Sequence, residues 1–142
     1  MIAIQMSVLA RIEDAARRAL PREACGFLIG HDGDRPIITR IAASPNLAPP
    51  DRQDRFETDP RLHLRLQRDL RESADDILGI YHSHPGGRAA PSAVDRAQAV
   101  YPGWIWLITA LNGADCSTCA FRHIAGTDFA PLRLETVSDP SE

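Results

Sequence analysis

His82 and His84 stand two residues apart at the end of the apolar run Ile77 to Tyr81. Side chains alternate between faces along a strand, so both imidazoles leave an extended segment on the same side, as two ligands of one metal must. A His-x-His pair alone leaves another reading open, with one of the two a surface histidine. Asp95 follows in PSAVDRAQAV, and Ser92 to Asp95 has the spacing of a capping box. Ser92 can therefore be only an N-cap, with Asp95 a first-turn acid favoured by the helix dipole. The capping and metal readings are compatible, because a rigid helix start can aim Asp95 at the open side of the histidines. Two imidazole nitrogens and one carboxylate oxygen make three protein ligands. Tetrahedral zinc then keeps its fourth position for water, as catalytic sites do and closed structural sites do not.

Zinc lowers the pKa of bound water to about 7, and hydrolysis then needs a carboxylate to carry the proton to the leaving group. Glu23 sits at the entry to the apolar run ACGFLIG, where burial and a metal can tune its pKa. Spacing alone does not separate it from Glu13 or Glu57.

Taken together, Glu23 followed by Cys25-Gly26, then His82-Ser83-His84, seven residues beginning with Pro85, Ser92, two residues and Asp95 resembles the full signature of the JAMM/MPN+ metalloprotease family. The likeness extends from the helix before Glu23 to the strands after Trp104, and NLAPPDRQDRFETDP is similar to the family's connecting stretch before its second helix. The resemblance implies one three-layer α/β (α+β) domain over residues 1–138, a mixed β-sheet flanked by helices with the JAMM/MPN, cytidine-deaminase-like fold, and a frayed tail at 139–142. It implies that His82, His84 and Asp95 bind zinc, that Glu23 is the general acid/base, and that the Ser92 hydroxyl supports the oxyanion. Members that cut lysine-linked ubiquitin carry two insertions, whereas only eight residues separate Asp95 from Trp104 here. The chain resembles instead the short bacterial members, which act on ubiquitin-like β-grasp sulfur-carrier proteins after their Gly-Gly tail. The expected function is zinc-dependent peptidase or isopeptidase hydrolysis at that tail. The competing class is a non-catalytic, zinc-braced module that binds such a carrier or a partner subunit. The oligomeric state is left open.

The elements that must position these residues are legible in outline. Met1 to Met6 reads as an edge strand, and Ser7 can cap a helix to about Leu20 with Val8, Ile12, Ala15, Ala16 and Ala19 on its apolar face. Ala24 to Gly30 and Pro36 to Ala43 flank an Asp-Gly-Asp turn and read as a hairpin. Ser44 to Pro60 is an exposed loop anchored by Phe56, long enough to suggest a functional role. A helix then runs from Thr58 or Asp59 through Ser73, with Arg65 to Asp69 and Arg68 to Glu72 as i,i+4 pairs. Ile77 to Tyr81 is a strand, Ser92 to about Val100 a helix, and Trp104 to Leu111, Ser117 to Ile124 and Leu132 to Val137 are strands. Helices are expected on both faces of the sheet.

The whole is 142 residues with 44% hydrophobic content, which fits one core and is too short for a (β/α)₈ barrel, so the amidohydrolase barrels that also use His-x-His metal pairs are excluded on size. A net charge of -3 gives no basic footprint for nucleic acid. The N-terminal segment does not read as a signal peptide, no run approaches a membrane span, and a cytoplasmic protein with three reduced cysteines is expected. All 16 basic residues are arginine, a coding bias or a protection against lysine modification. Cys116 and Cys119 lack the two further ligands of a zinc site and read as strand-borne thiols, and Cys25 as core. His31 and His63 read as surface residues. Deaminase sites use Pro-Cys-x-x-Cys, and Asp115 stands where that proline would be.

Overall fold

The computed structural model describes residues 1–140. Its elements are β1 (Ile2–Gln5), α1 (Met6–Ala19), β2 (Cys25–His31), β3 (Ile37–Ser44), α2 (Pro60–Asp69), β4 (Asp76–His84), α3 (Ala93–Gln98), β5 (Ile105–Asn112), β6 (Asp115–Ala125), β7 (Asp128–Leu132) and β8 (Leu134–Val137). All eight strands form one mixed sheet in the order β7-β6-β5-β4-β2-β3-β1-β8. β2 is antiparallel to β3 and β4, whereas β4 is parallel to β5, and α3 lies in the connection between them. Central strands buried on both faces read as continuous apolar runs, which is why CGFLIG and IWLITAL do not alternate.

The helices cover both faces, as expected for this α/β architecture. Val8, Ile12 and Ala16, spaced one turn apart, bury α1 on Ile4, Leu28, Ile38, Tyr81 and Leu107. Leu66 of α2 and Leu70 just beyond it close the other face over Phe27, Ile29, Ile80 and Trp106. A bulge in β4 decides which face carries the histidines. The register against β2 slips between Leu28, opposite Gly79, and Ile29, opposite Ile77, leaving Leu78 as the extra residue. Leu78 and Tyr81 therefore join the α1 side, while Ile77 and Ile80 join the α2 side. His82 and His84 keep the parity of Ile80.

Four expectations are corrected. β1 is not an edge strand: it lies between β3 and β8, and Ile2, Ala3 and Ile4 are wholly buried. Ser7 does not cap α1, whose N-cap is Gln5; its amide and hydroxyl both donate to Asp139, at 3.1 and 2.9 Å, which ties the tail to the start of the helix. The C-terminal strand is two strands broken at Arg133, with β7 and β8 at opposite edges of the sheet. The i,i+4 pairs Arg65 to Asp69 and Arg68 to Glu72 do not form among the described residues, although all four residues are exposed and the charged face is solvated, as such a run of charges suggests. The expected frayed end includes residues 141 and 142, which lie outside the described residues.

Candidate metal centre

β4 delivers His82 and His84 at its last turn of pleat, and the first turn of α3 delivers Asp95 between them. The two Nε2 atoms are 3.2 Å apart, and Asp95 Oδ2 lies 3.0 Å from His82 Nε2 and 3.1 Å from His84 Nε2. All three residues are buried. The capping box is fully formed: Ser92 Oγ accepts from the Asp95 amide at 3.1 Å, and Asp95 Oδ2 accepts from the Ser92 amide at 2.9 Å. Capping and convergence on the histidines thus coexist in one residue.

Glu23 joins this group from the segment entering β2. Its carboxylate and the donor atoms of His82, His84 and Asp95 all lie within 4.8 Å of one another. Ser83, whose side chain leaves the strand opposite the histidines, sets that approach. Its hydroxyl accepts from the Ala24 amide at 2.8 Å and its amide donates to the Ala24 carbonyl at 3.0 Å, extending the β2–β4 ladder to the residue beside Glu23. Asn46 holds the other side, donating to the Glu23 carbonyl at 3.0 Å while its Oδ1 accepts from the Ala48 and Glu57 amides. Arg22 donates to the Asn46 and Ala48 carbonyls. Gly26 leaves room for this arrangement: a Cβ there would lie 2.5 Å from the Ala42 carbonyl oxygen and from the Tyr81 ring.

The donor set suits a divalent metal. His84 Nδ1 donates to the Arg88 carbonyl at 2.8 Å, which leaves a lone pair on Nε2 in the neutral ring. That lone pair faces Asp95 Oδ2, itself an acceptor, so the contact is favourable only with a cation or a proton between them. The observed separations of 3.0 to 3.2 Å approach ~3.3 Å, the edge of a tetrahedron whose corners lie about 2.0 Å from its centre. Asp95 Oδ1 and Glu23 Oε1 are buried without a hydrogen-bond partner among the described residues.

The electrostatics follow from the same packing. Burial, reinforced by the Asp95 carboxylate, pushes Glu23 up to about 8. Burial lowers the pKa of His82 and outweighs its bond to Asp95. Burial would also lower His84, but the Asp95 and Arg88 hydrogen bonds prevail and raise it. Burial opposes ionisation of Asp95, yet both histidines hold it below the usual carboxylate range.

The remaining sequence candidates lie elsewhere. Cys25 is buried, with its thiol against the Ser44 and Pro45 carbonyls and pushed up to about 12, chiefly by burial. Cys116 and Cys119 are thiols on β6, and His123 bonds the Gly126 carbonyl instead of joining them. His31 pairs with Asp75 at 3.0 Å. His63 is not a plain surface residue: it packs among Phe27, Tyr101 and Trp104. Phe56 anchors its loop as expected, against the His82 ring. Sequence reasoning missed Ser83, Asn46 and Arg22. Asn46 carried a signal, since Asn after Pro favours a turn in which its side chain bonds the backbone two residues on, as it does to Ala48.

A mixed sheet flanked by helices, with a His-x-His pair at the end of a central strand, an Asp in the next helix and a buried Glu beside them, defines a JAMM-type hydrolase. Residues 5–123 match the family of prokaryotic homologs of the JAB domain, and the chain belongs to that family. It is 32% identical over 112 residues to a desampylase of Haloferax volcanii, covering 75% of this chain and 76% of that protein. It is 37% identical over 93 residues to a CysO-cysteine peptidase of Mycobacterium tuberculosis, covering 61% of this chain but only 58% of that protein. A protein from Desulfitobacterium hafniense has a solution structure that superposes with a TM-score of 0.86 at 30% identity, over 98% of this chain and 94% of that one.

Proposed function

We propose that the chain hydrolyses the bond that follows the Gly-Gly tail of a ubiquitin-like sulfur-carrier protein, using zinc held by His82, His84 and Asp95. The reading is carried by the convergence of four buried donor groups within 4.8 Å, one of them a carboxyl whose pKa is raised to about 8. The names of relatives support the substrate class, since the archaeal protein is a desampylase and the mycobacterial one a CysO-cysteine peptidase. The work is assigned to residues 1–138 as one domain. A cytoplasmic location is part of the same proposal, and no helix among the described residues is long and apolar enough to cross a membrane.

Zinc bound by these three residues would supply Lewis acidity, making water acidic near neutral pH and polarising the scissile carbonyl. Glu23 then takes the proton from the attacking water and returns it to the departing nitrogen, so that the carbonyl carbon gains a hydroxyl as the C–N bond breaks. A raised pKa suits this double duty, because the group must both accept and release a proton. Ser92 Oγ already accepts from the Asp95 amide, so its hydroxyl hydrogen is available to the developing oxyanion.

The test is mass spectrometry of small carriers ending in Gly-Gly and extended by one or more residues, incubated with zinc-loaded protein. Cleavage after Gly-Gly, with little action on lysine-linked ubiquitin chains, is the expected result. Efficient cutting of ubiquitin dimers with the extended carrier untouched would overturn the substrate assignment.

A further inference from the structure

The loop between β4 and α3 carries a cation to which the proposed chemistry gives no task. A cavity of about 540 Å³ opens beside Glu23, His84 and Ser92, and Arg88 forms part of its wall. The backbone of Arg88 is fixed, because its carbonyl accepts from His84 Nδ1 at 2.8 Å. The loop is pinned again one residue earlier, where the Gly87 amide donates to Asn112 Oδ1 and the Gly87 carbonyl accepts from Asn112 Nδ2 at 2.9 Å. The guanidinium itself is exposed and has no hydrogen bond or ion pair among the described residues. The other arginines near this cavity are engaged: Arg52 and Arg55 flank Asp54, at 3.1 and 3.6 Å. Among the described residues that line this cavity, Arg88 is therefore the cation without a partner, beside Glu23 and an Asp54 that already has its own arginines.

We infer that Arg88 determines the leaving group, binding the free α-carboxylate of a single amino acid attached after the carrier's tail. This deepens the proposed hydrolysis and rests on it for the position of the scissile bond. In such a leaving group the carboxylate carbon lies two covalent bonds from the scissile nitrogen, about 2.5 Å away. The anion must therefore enter the cavity next to Glu23, which Arg88 lines with a cation free to pair with it. Arginine suits this task, since its planar fork pairs with a carboxylate through two parallel hydrogen bonds. A lysine side chain joined to the tail presents four methylenes at the same place and no charge for Arg88 to meet.

The experiment uses full-length protein carrying Glu23→Gln and loaded with zinc, so that ligands bind without being cut. Two probes are titrated calorimetrically: peptides ending in Gly-Gly-Ala, one with a free carboxylate and one as the carboxamide. The acid should bind about tenfold more tightly, the ratio that corresponds to ~1.4 kcal/mol. Adding Arg88→Ala should bring the ratio close to one, and Arg88→Lys should restore part of it. The Arg88 side chain is exposed and makes no hydrogen bond or ion pair among the described residues, so these variants should fold, which circular dichroism checks. Equal binding of acid and amide, or a preference that survives Arg88→Ala, would overturn the inference. The wild-type protein acting on carriers extended by the same two groups separates the two readings. Equal cleavage of acid and amide leaves the hydrolysis reading intact and removes Arg88 from it. A carboxylate preference in binding with no cleavage of either carrier retains Arg88 as an anion site and removes the hydrolysis reading.

Discussion

Phe56 lies flat on His82, with ring centroids 4.4 Å apart and planes inclined by 22°. The long loop after β3 is thereby joined to the end of β4 that carries His82 and His84, and the same ring meets Trp106 edge-on. Phe56→Ala should destabilise the protein by about 3–5 kcal/mol, as expected for removal of a buried aromatic ring. It should also weaken zinc binding by about tenfold or more, the usual effect of losing a group that orients a ligand. Denaturant melts and competition with a chromogenic chelator measure the two. Unchanged zinc affinity in a destabilised variant would confine Phe56 to packing.

Ser83 should behave differently, because it touches the Glu23 segment and not the ligands. Ser83→Ala leaves the Ala24 amide without its acceptor, at a cost of about 1–3 kcal/mol. Zinc content should stay near that of the wild type while turnover falls, since the proposed proton carrier is displaced and the ligands are not. Paired elemental analysis and rate measurements test this, and loss of zinc in parallel with rate would show that Ser83 acts through the histidines.

Metal removal exposes the raised pKa of Glu23. Without a cation beside it, the folded protein holds this proton up to about pH 8, whereas the unfolded chain releases it near 4.5. The folded state then binds more protons across that window, so stability falls as pH rises from about 4.5 to 8. Chelated wild-type protein should lose stability from pH 5 to pH 8 by more than chelated Glu23→Gln does. Zinc should abolish the difference, because an adjacent cation favours the carboxylate. Identical pH profiles for the two chelated proteins would contradict the burial of an uncompensated carboxyl at this position.

The proposed ligands were legible because they are local: two sit on one strand end and the third at the start of the following helix. Strand parity and a capping box therefore describe them without any long-range pairing. Glu23 is different in kind, since it reaches the site through the pairing of the β2 entry with β4, Cys25 opposite His82 and Ala24 bonded to Ser83, contacts that no local pattern encodes. Ser83 and Asn46 escaped notice because their roles are side-chain bonds to backbone groups distant in sequence. The strand β7 was missed because Pro131 interrupts its pattern and it is only five residues long. The place of β1 depended on β8, which returns from the far end of the chain to pair with it in parallel.

The central claim, that His82, His84 and Asp95 hold zinc while Glu23 acts beside it, is tested most directly by elemental analysis of purified protein. Wild type and Glu23→Gln should each carry about one zinc per chain, since the amide keeps the shape of the side chain and leaves the three ligands untouched. His84→Ala, which removes one ligand of three, should lose most of it while keeping a wild-type circular dichroism spectrum. Equal zinc content in the wild type and His84→Ala would contradict the account.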